Sequence, residues 1–114
     1  MRPDSRKYLH AIRTAAERIR AFTDGRDIET FAADALVRSA VERQFEIVGE
    51  ALAQLARRDA GVAERISEHG RIIAFRNMLI HGYTEVDARI VWGIVVTKQP
   101  RLRDEVERLS AEPD

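Results

Sequence analysis

The chain has 114 residues, 45% apolar and 33% charged, a balance that fits one packed domain spanning 1–114 and excludes a disordered tail. It has no cysteine, which removes a disulfide framework and any thiolate metal site and makes a cytoplasmic location the expectation. Its longest apolar runs are three or four residues, far short of the roughly 20 a membrane span needs. Nineteen basic side chains balance nineteen acidic ones, so nothing in the net charge demands a large nucleic-acid footprint.

The N-terminus opens Met-Arg-Pro-Asp-Ser-Arg-Lys with no apolar segment behind it, so no secretory signal is expected. Residues 1–20 carry Arg2, Arg6, Lys7, Arg13, Arg18 and Arg20 against Asp4 and Glu17. That local excess could touch RNA phosphates or simply form a solvated helix face. Leu9, Ile12, Ala16, Ile19 and Phe22 recur at spacings of three and four. They predict a first helix capped by Asp4 and ended at Asp24-Gly25.

A second, longer helix is expected from about Ile28 to Arg58, with Asp27 as its cap. Val37, Val41, Phe45, Val48, Leu52 and Leu55 form a seam that would pack inside a bundle or across a dimer. Gly49 lies mid-helix, at a cost of about 1 kcal/mol against alanine, which a close backbone approach would offset. Asp59-Ala60-Gly61 breaks the pattern.

A third helix is expected from about Ala63 or Arg71 to Ile80, with an interruption at His69-Gly70. Its final stretch, Ile72 to Ile80, is apolar on every side except at Arg76 and Asn77, which predicts burial. Gly82 stops it. Thr84-Glu85-Val86-Asp87 reads as a capping box for a fourth helix holding Ile90, Val91, Trp92, Val95 and Val96, with Trp92 in the core. Pro100 starts a last helix over about Arg101 to Leu109. No stretch alternates with period two, so the fold class is all-α, a bundle of four or five helices.

Polar chemistry interrupts the apolar pattern at Arg76-Asn77-Met78-Leu79-Ile80-His81-Gly82-Tyr83. A buried arginine needs a counter-charge, a cleft or a ligand, and Glu46 and Glu50 on the second helix are the candidate counter-charges. Asn77 and His81 are four apart and share a helix face. Arg76 and His81 are five apart, about 140° around an ideal helix, so they cannot easily converge on one substrate from one straight helix. Either the helix unwinds near Gly82, or two copies meet across a two-fold axis and each site draws on both chains. His81 also sits where a histidine can pair with free helix-end carbonyls. Tyr83 can pack its ring against the bundle end with its hydroxyl wet. His10 and His69 show no partner pattern and are expected at the surface.

These residues suit metal-free RNA cleavage. A histidine can take a proton from a 2′-hydroxyl or give one to the leaving oxygen. An arginine, always charged, stabilises the charge building at phosphorus. Asn77 can hold a phosphate or a base edge.

The segment Arg76 to Tyr83 resembles the Arg-Xaa4-His-Xaa-Tyr motif of HepT toxins in the HEPN superfamily. Asp34 with Ala40 to Ala51 resembles that family's second-helix signature, and Val86-Asp87 through Trp92 with Gln99-Pro100-Arg101-Leu102 resembles its C-terminal part. The resemblance covers essentially the whole chain. It implies an all-helical homodimer with the paired motifs in one cleft, with Arg76 and His81 catalytic and Asn77 binding substrate. It also implies metal-independent endoribonuclease activity without a cofactor. The partner it implies is a minimal nucleotidyltransferase antitoxin, MNT, that neutralises the toxin, in a type VII-like toxin–antitoxin system, by attaching AMP to Tyr83. A rival reading from another class is a catalytically silent helical binding subunit of a nucleotidyltransferase complex. A pure dimerisation module is a third, and it leaves the polar pair in an apolar helix without a purpose.

Overall fold

Proline opens the first helix. In the computed structural model, which describes residues 1–82 and 86–113, α1 runs Pro3–Thr23 with the proline in its first turn, where a missing N–H costs nothing. Asp4 does not cap it. Arg2 holds the N-cap position without a side-chain hydrogen bond, and Asp4 lies inside the first turn, where its charge suits the positive end of the helix dipole. The stop at Asp24-Gly25 is as expected. Gly25 takes φ 72°, left-handed backbone that glycine adopts without a Cβ penalty.

The single helix expected from Ile28 to Arg58 is two. α2, Ile28–Ala33, begins at Asp27, which forms a capping box with Thr30. The chain then turns at Asp34, and α3 runs Ala35–Arg58. The Asp34 carboxylate accepts from the Val37 N–H at 3.1 Å and from Arg26 Nη1 at 3.2 Å. A short acidic side chain that takes a backbone donor for itself competes with the helix ladder, and here it wins.

Asp59 ends α3 and starts α4, Ala60–Ala63. Its carboxylate also accepts from the Ser5 hydroxyl at 2.6 Å, tying the start of α1 to the end of α3. α5 runs His69–His81, straight through Gly70. The interruption expected at His69-Gly70 lies just before it, where Glu68 adopts φ 57°. α6, Ala88–Thr97, is capped by Asp87, which accepts from the Arg89 N–H. Thr84 and Glu85, the start of the expected capping box, lie outside the described residues. α7, Gln99–Ser110, carries Pro100 in its first turn.

α3 is the spine. On one side it packs against α1, against which α7 also packs, and Leu9, Ile12, Val48, Leu52, Leu102 and Val106 are enclosed in one cluster there. On the other, Val41 and Phe45 pack with Phe31 of α2, Phe75 of α5 and Val91 of α6. Phe45 and Phe75 meet edge to face at 5.4 Å. Burial of each such side chain contributes about 1.5–3 kcal/mol. The seam Val41–Phe45–Val48 is therefore enclosed by the chain's own helices and is not free to form a dimer contact. Trp92 is half-buried at the edge, its ring 5.2 Å from that of Phe31 and tilted 37° to it, and not at the centre of the core. The five longer helices make the all-α bundle expected from the periodicity. No strand occurs among the described residues, and no helix among them is long and apolar enough to cross a membrane.

Candidate functional site around α5

Gly49 and Arg76 lie against each other where α3 crosses α5. A Cβ built on Gly49 would fall 2.2 Å from the Arg76 Cβ, 2.6 Å from its Cγ and 3.6 Å from its Cα. No side chain fits there, so the glycine lets the base of Arg76 press against the α3 backbone. This is the close approach that offsets a glycine's helix cost. The arginine stem is thereby sequestered, leaving its side chain 16% exposed.

The guanidinium then reaches along α3. Arg76 Nη1 donates to Glu50 Oε2 at 2.6 Å, and Glu50 Oε1 accepts from Gln54 Nε2 at 3.3 Å. Of the two candidate counter-charges, Glu50 is the partner, and Glu46 pairs with Arg43 instead. Arg76 Nε is buried without a hydrogen-bond partner. A guanidinium carries five N–H donors in a fixed fork, so one ion pair orients it without exhausting it. The role of Gln54 escaped the sequence reading, although its spacing of four from Glu50 on one helix was a usable signal.

Asn77 and His81 lie elsewhere on the same helix. Both are exposed, together with Ala74 and Met78, and the spacing 74, 77, 78, 81 puts all four on one face. α5 stays helical through His81, and Gly82 leaves it in extended backbone. The unwinding that could have swung His81 towards Arg76 is therefore not the arrangement found. Tyr83 lies outside the described residues.

The expectation that Ile72 to Ile80 is buried on every side is corrected. Phe75 alone of α5 is fully buried, while Met78 is 42% and Ile80 44% exposed. Among the described residues, α3 and the α6 region cover one side of the helix, and Ala74, Asn77, Met78 and His81 on another face are exposed. His10 is exposed as expected, and His69 is half-buried. Among the described residues, no three His, Asp or Glu side chains gather as metal ligands would.

Comparisons with known proteins agree with this architecture. A family model described as "Ribonuclease HepT-like" matches residues 12–109. The chain is 32% identical over 109 residues to a Thermococcus cleftensis protein named "Probable ribonuclease HepT", covering 96% of this chain and 98% of that one. It is 31% identical over 104 residues to "Putative RNase MJ1380" of Methanocaldococcus jannaschii, covering 91% and 94%. A third relative, "Putative RNase TTE0752" of Caldanaerobacter subterraneus, is 29% identical over 109 residues, covering 91% and 92%. No solved structure matches the chain.

Proposed function

The chain belongs to the HepT-like ribonuclease family, and from that premise we propose that it is a metal-independent endoribonuclease toxin acting as a two-fold dimer. Arg76 and His81 are its catalytic pair, and Asn77 binds the RNA. The observation that carries this reading is the division of α5. Arg76 is held on the α3 side by Gly49 and Glu50, whereas His81 and Asn77 stand on a face that is exposed among the described residues. A second copy meeting that face would cover Met78 and complete a cleft with groups from both chains.

In that cleft the ribose 2′-oxygen attacks phosphorus and the 5′-oxygen leaves. His81 takes the 2′-hydroxyl proton or protonates the leaving oxygen. Arg76, oriented by Glu50, stabilises the charge gathering on the phosphoryl oxygens. The products are a 2′,3′-cyclic phosphate and a free 5′-hydroxyl. Neutralisation would come from an MNT nucleotidyltransferase that attaches AMP to Tyr83. The added phosphate would draw Arg76 from the RNA and repel its backbone.

Cleavage assays with EDTA present test this reading. Wild type should cut RNA, and His81→Ala and Arg76→Ala should each lose about 100-fold or more in rate. Tyr83→Phe should cut RNA yet gain no AMP mass when co-expressed with the nucleotidyltransferase. Full cleavage by both alanine variants overturns the site, and equal AMP addition to wild type and Tyr83→Phe overturns the switch.

A further inference from the structure

Cleavage of RNA through its own 2′-hydroxyl needs two proton transfers at opposite ends of one line. The 2′-oxygen loses a proton as it attacks phosphorus, and the 5′-oxygen gains one as it leaves. A single histidine serves one end at a time, so a second titratable group belongs on the far side of the phosphate.

Glu50 is placed for that role. Its Oε2 accepts from Arg76 Nη1 at 2.6 Å, yet its side chain stays 54% exposed. Among the described residues, Oε1 carries only the bond from Gln54 Nε2, long at 3.3 Å. A carboxylate offers about four lone-pair positions, so the ion pair leaves it able to accept a proton. A guanidinium holds five donors in a planar fork. With one Nη1 donor on Glu50, others can hold a phosphoryl oxygen, and the carboxylate then lies beside the phosphate under attack.

The groups around Glu50 offer no rival base. It lies on the wall of an open groove of about 300 Å³ between α1 and α3. Lys7 and Tyr8 line that groove from α1, and Arg76 meets the carboxylate from α5. Arg43 and Glu46 line it from α3 and pair with each other at 3.4 Å. None of the lining residues is a histidine. His81 lies about 140° around α5 from Arg76, on the exposed face. Base and acid therefore approach the proposed cleft from two different sides, as an in-line displacement requires.

We infer that Glu50 is the general base of the cleavage and His81 its general acid, an assignment that rests on the dimeric ribonuclease reading. The 2′-hydroxyl proton passes to Glu50 Oε1 while the 2′-oxygen bonds to phosphorus. The bond from phosphorus to the 5′-oxygen breaks, and that oxygen takes its proton from the His81 imidazolium. Glu50 ends as the neutral acid and His81 as the neutral imidazole, and exchange with water restores both. Oε2 accepts from Arg76 throughout, so the guanidinium keeps its position as charge builds on the phosphoryl oxygens.

A pH–rate profile on a fluorescein-labelled single-stranded RNA tests this. Wild-type kcat/KM should fall above about pH 7, where a histidine acid loses its proton. It should hold within about twofold from about pH 6 to about pH 5, where a carboxylate base is still ionised. A histidine base would instead cost about tenfold over that unit, and that result overturns the proposal. Glu50→Gln keeps a carbonyl oxygen for Arg76 and loses only the basic group. Its kcat should fall about 100-fold or more, with KM and melting temperature near those of wild type. A kcat within about threefold of wild type overturns the proposal, and so does a loss confined to KM, which would make Glu50 a positioning residue for Arg76. Absence of cleavage by wild type overturns the ribonuclease reading itself, a failure distinct from cleavage that persists in Glu50→Gln.

Discussion

The two sides of α5 are built on opposite principles. Towards α3 the contact is close: Gly49 gives up its side chain so that Arg76 can lie against the backbone, and Glu50 and Gln54 extend a hydrogen-bonded row from the guanidinium. Away from α3, Asn77, Met78 and His81 are exposed among the described residues. The difference teaches how one short helix serves two needs. The packed side fixes a cation in one geometry, as the proposed electrostatic catalysis would require. The open side keeps a histidine and an amide available to whatever docks there.

The largest effect should come from charging the open side. In the proposed dimer Met78 is buried, so Met78→Glu places an unpaired carboxylate in the contact and should raise the dimer dissociation constant at least 100-fold. Light scattering should then give the 13.0 kDa chain mass, where wild type gives twice that. A wild-type monomer at micromolar concentration would remove the composite cleft.

Next comes the packed side. Gly49→Ala adds a methyl group where the Arg76 stem already lies, and overpacking of this kind costs about 1–3 kcal/mol. The melting temperature should fall by roughly 4 °C for each kcal/mol. A variant as stable as wild type would show that the contact yields freely.

A smaller contrast separates the two proposed catalytic groups. Arg76→Ala strips packing from Gly49 and should destabilise the fold by about 1 kcal/mol, while His81→Ala, at an exposed position, should stay within about 0.5 kcal/mol of wild type. Urea midpoints measure both. Equal losses would mean that the faces do not differ as described.

The smallest effect is a pH dependence unrelated to either face. Asp27 and Asp34 accept backbone N–H bonds, Asp59 accepts from Ser5 and Asp87 from Arg89, and each is held below the ordinary aspartate range. A carboxyl more acidic folded than unfolded adds stability above its unfolded pKa and loses it as pH falls through the lower folded value. Stability should therefore decline below about pH 4. Asp59→Asn should flatten that decline, and an unchanged profile would assign it to other carboxylates.

Much of this architecture was legible beforehand. Apolar spacings in α1, α3 and α6 are long enough to reveal a helix face, Pro100 marks the start of α7, and the Arg76–His81 segment stood out because polar residues interrupt an apolar run. The breaks were harder. Apolar spacing continues across Asp34, so only the competition of its carboxylate for the Val37 N–H, visible once the backbone is placed, divides α2 from α3. The capping role assigned to Asp4 failed for a similar reason: Pro3 already occupies the first turn, pushing the cap back to Arg2.

By itself the sequence determined the all-helical class, the family and the residues that carry the motif, because these depend on periodicity and identity along the chain. Which surfaces remain open was decided only by tertiary structure. Val41, Phe45 and Val48 look like a seam for a partner, yet α1, α2 and α5 close over them. Met78 and Ile80 look like core, yet they face outward. An apolar side chain records that it gains by leaving water, not which neighbour covers it, and that neighbour is fixed by the three-dimensional path of the helices. The choice of Glu50 over Glu46 for Arg76 rests on the same cause, since the close crossing at Gly49 sets how far the guanidinium can reach.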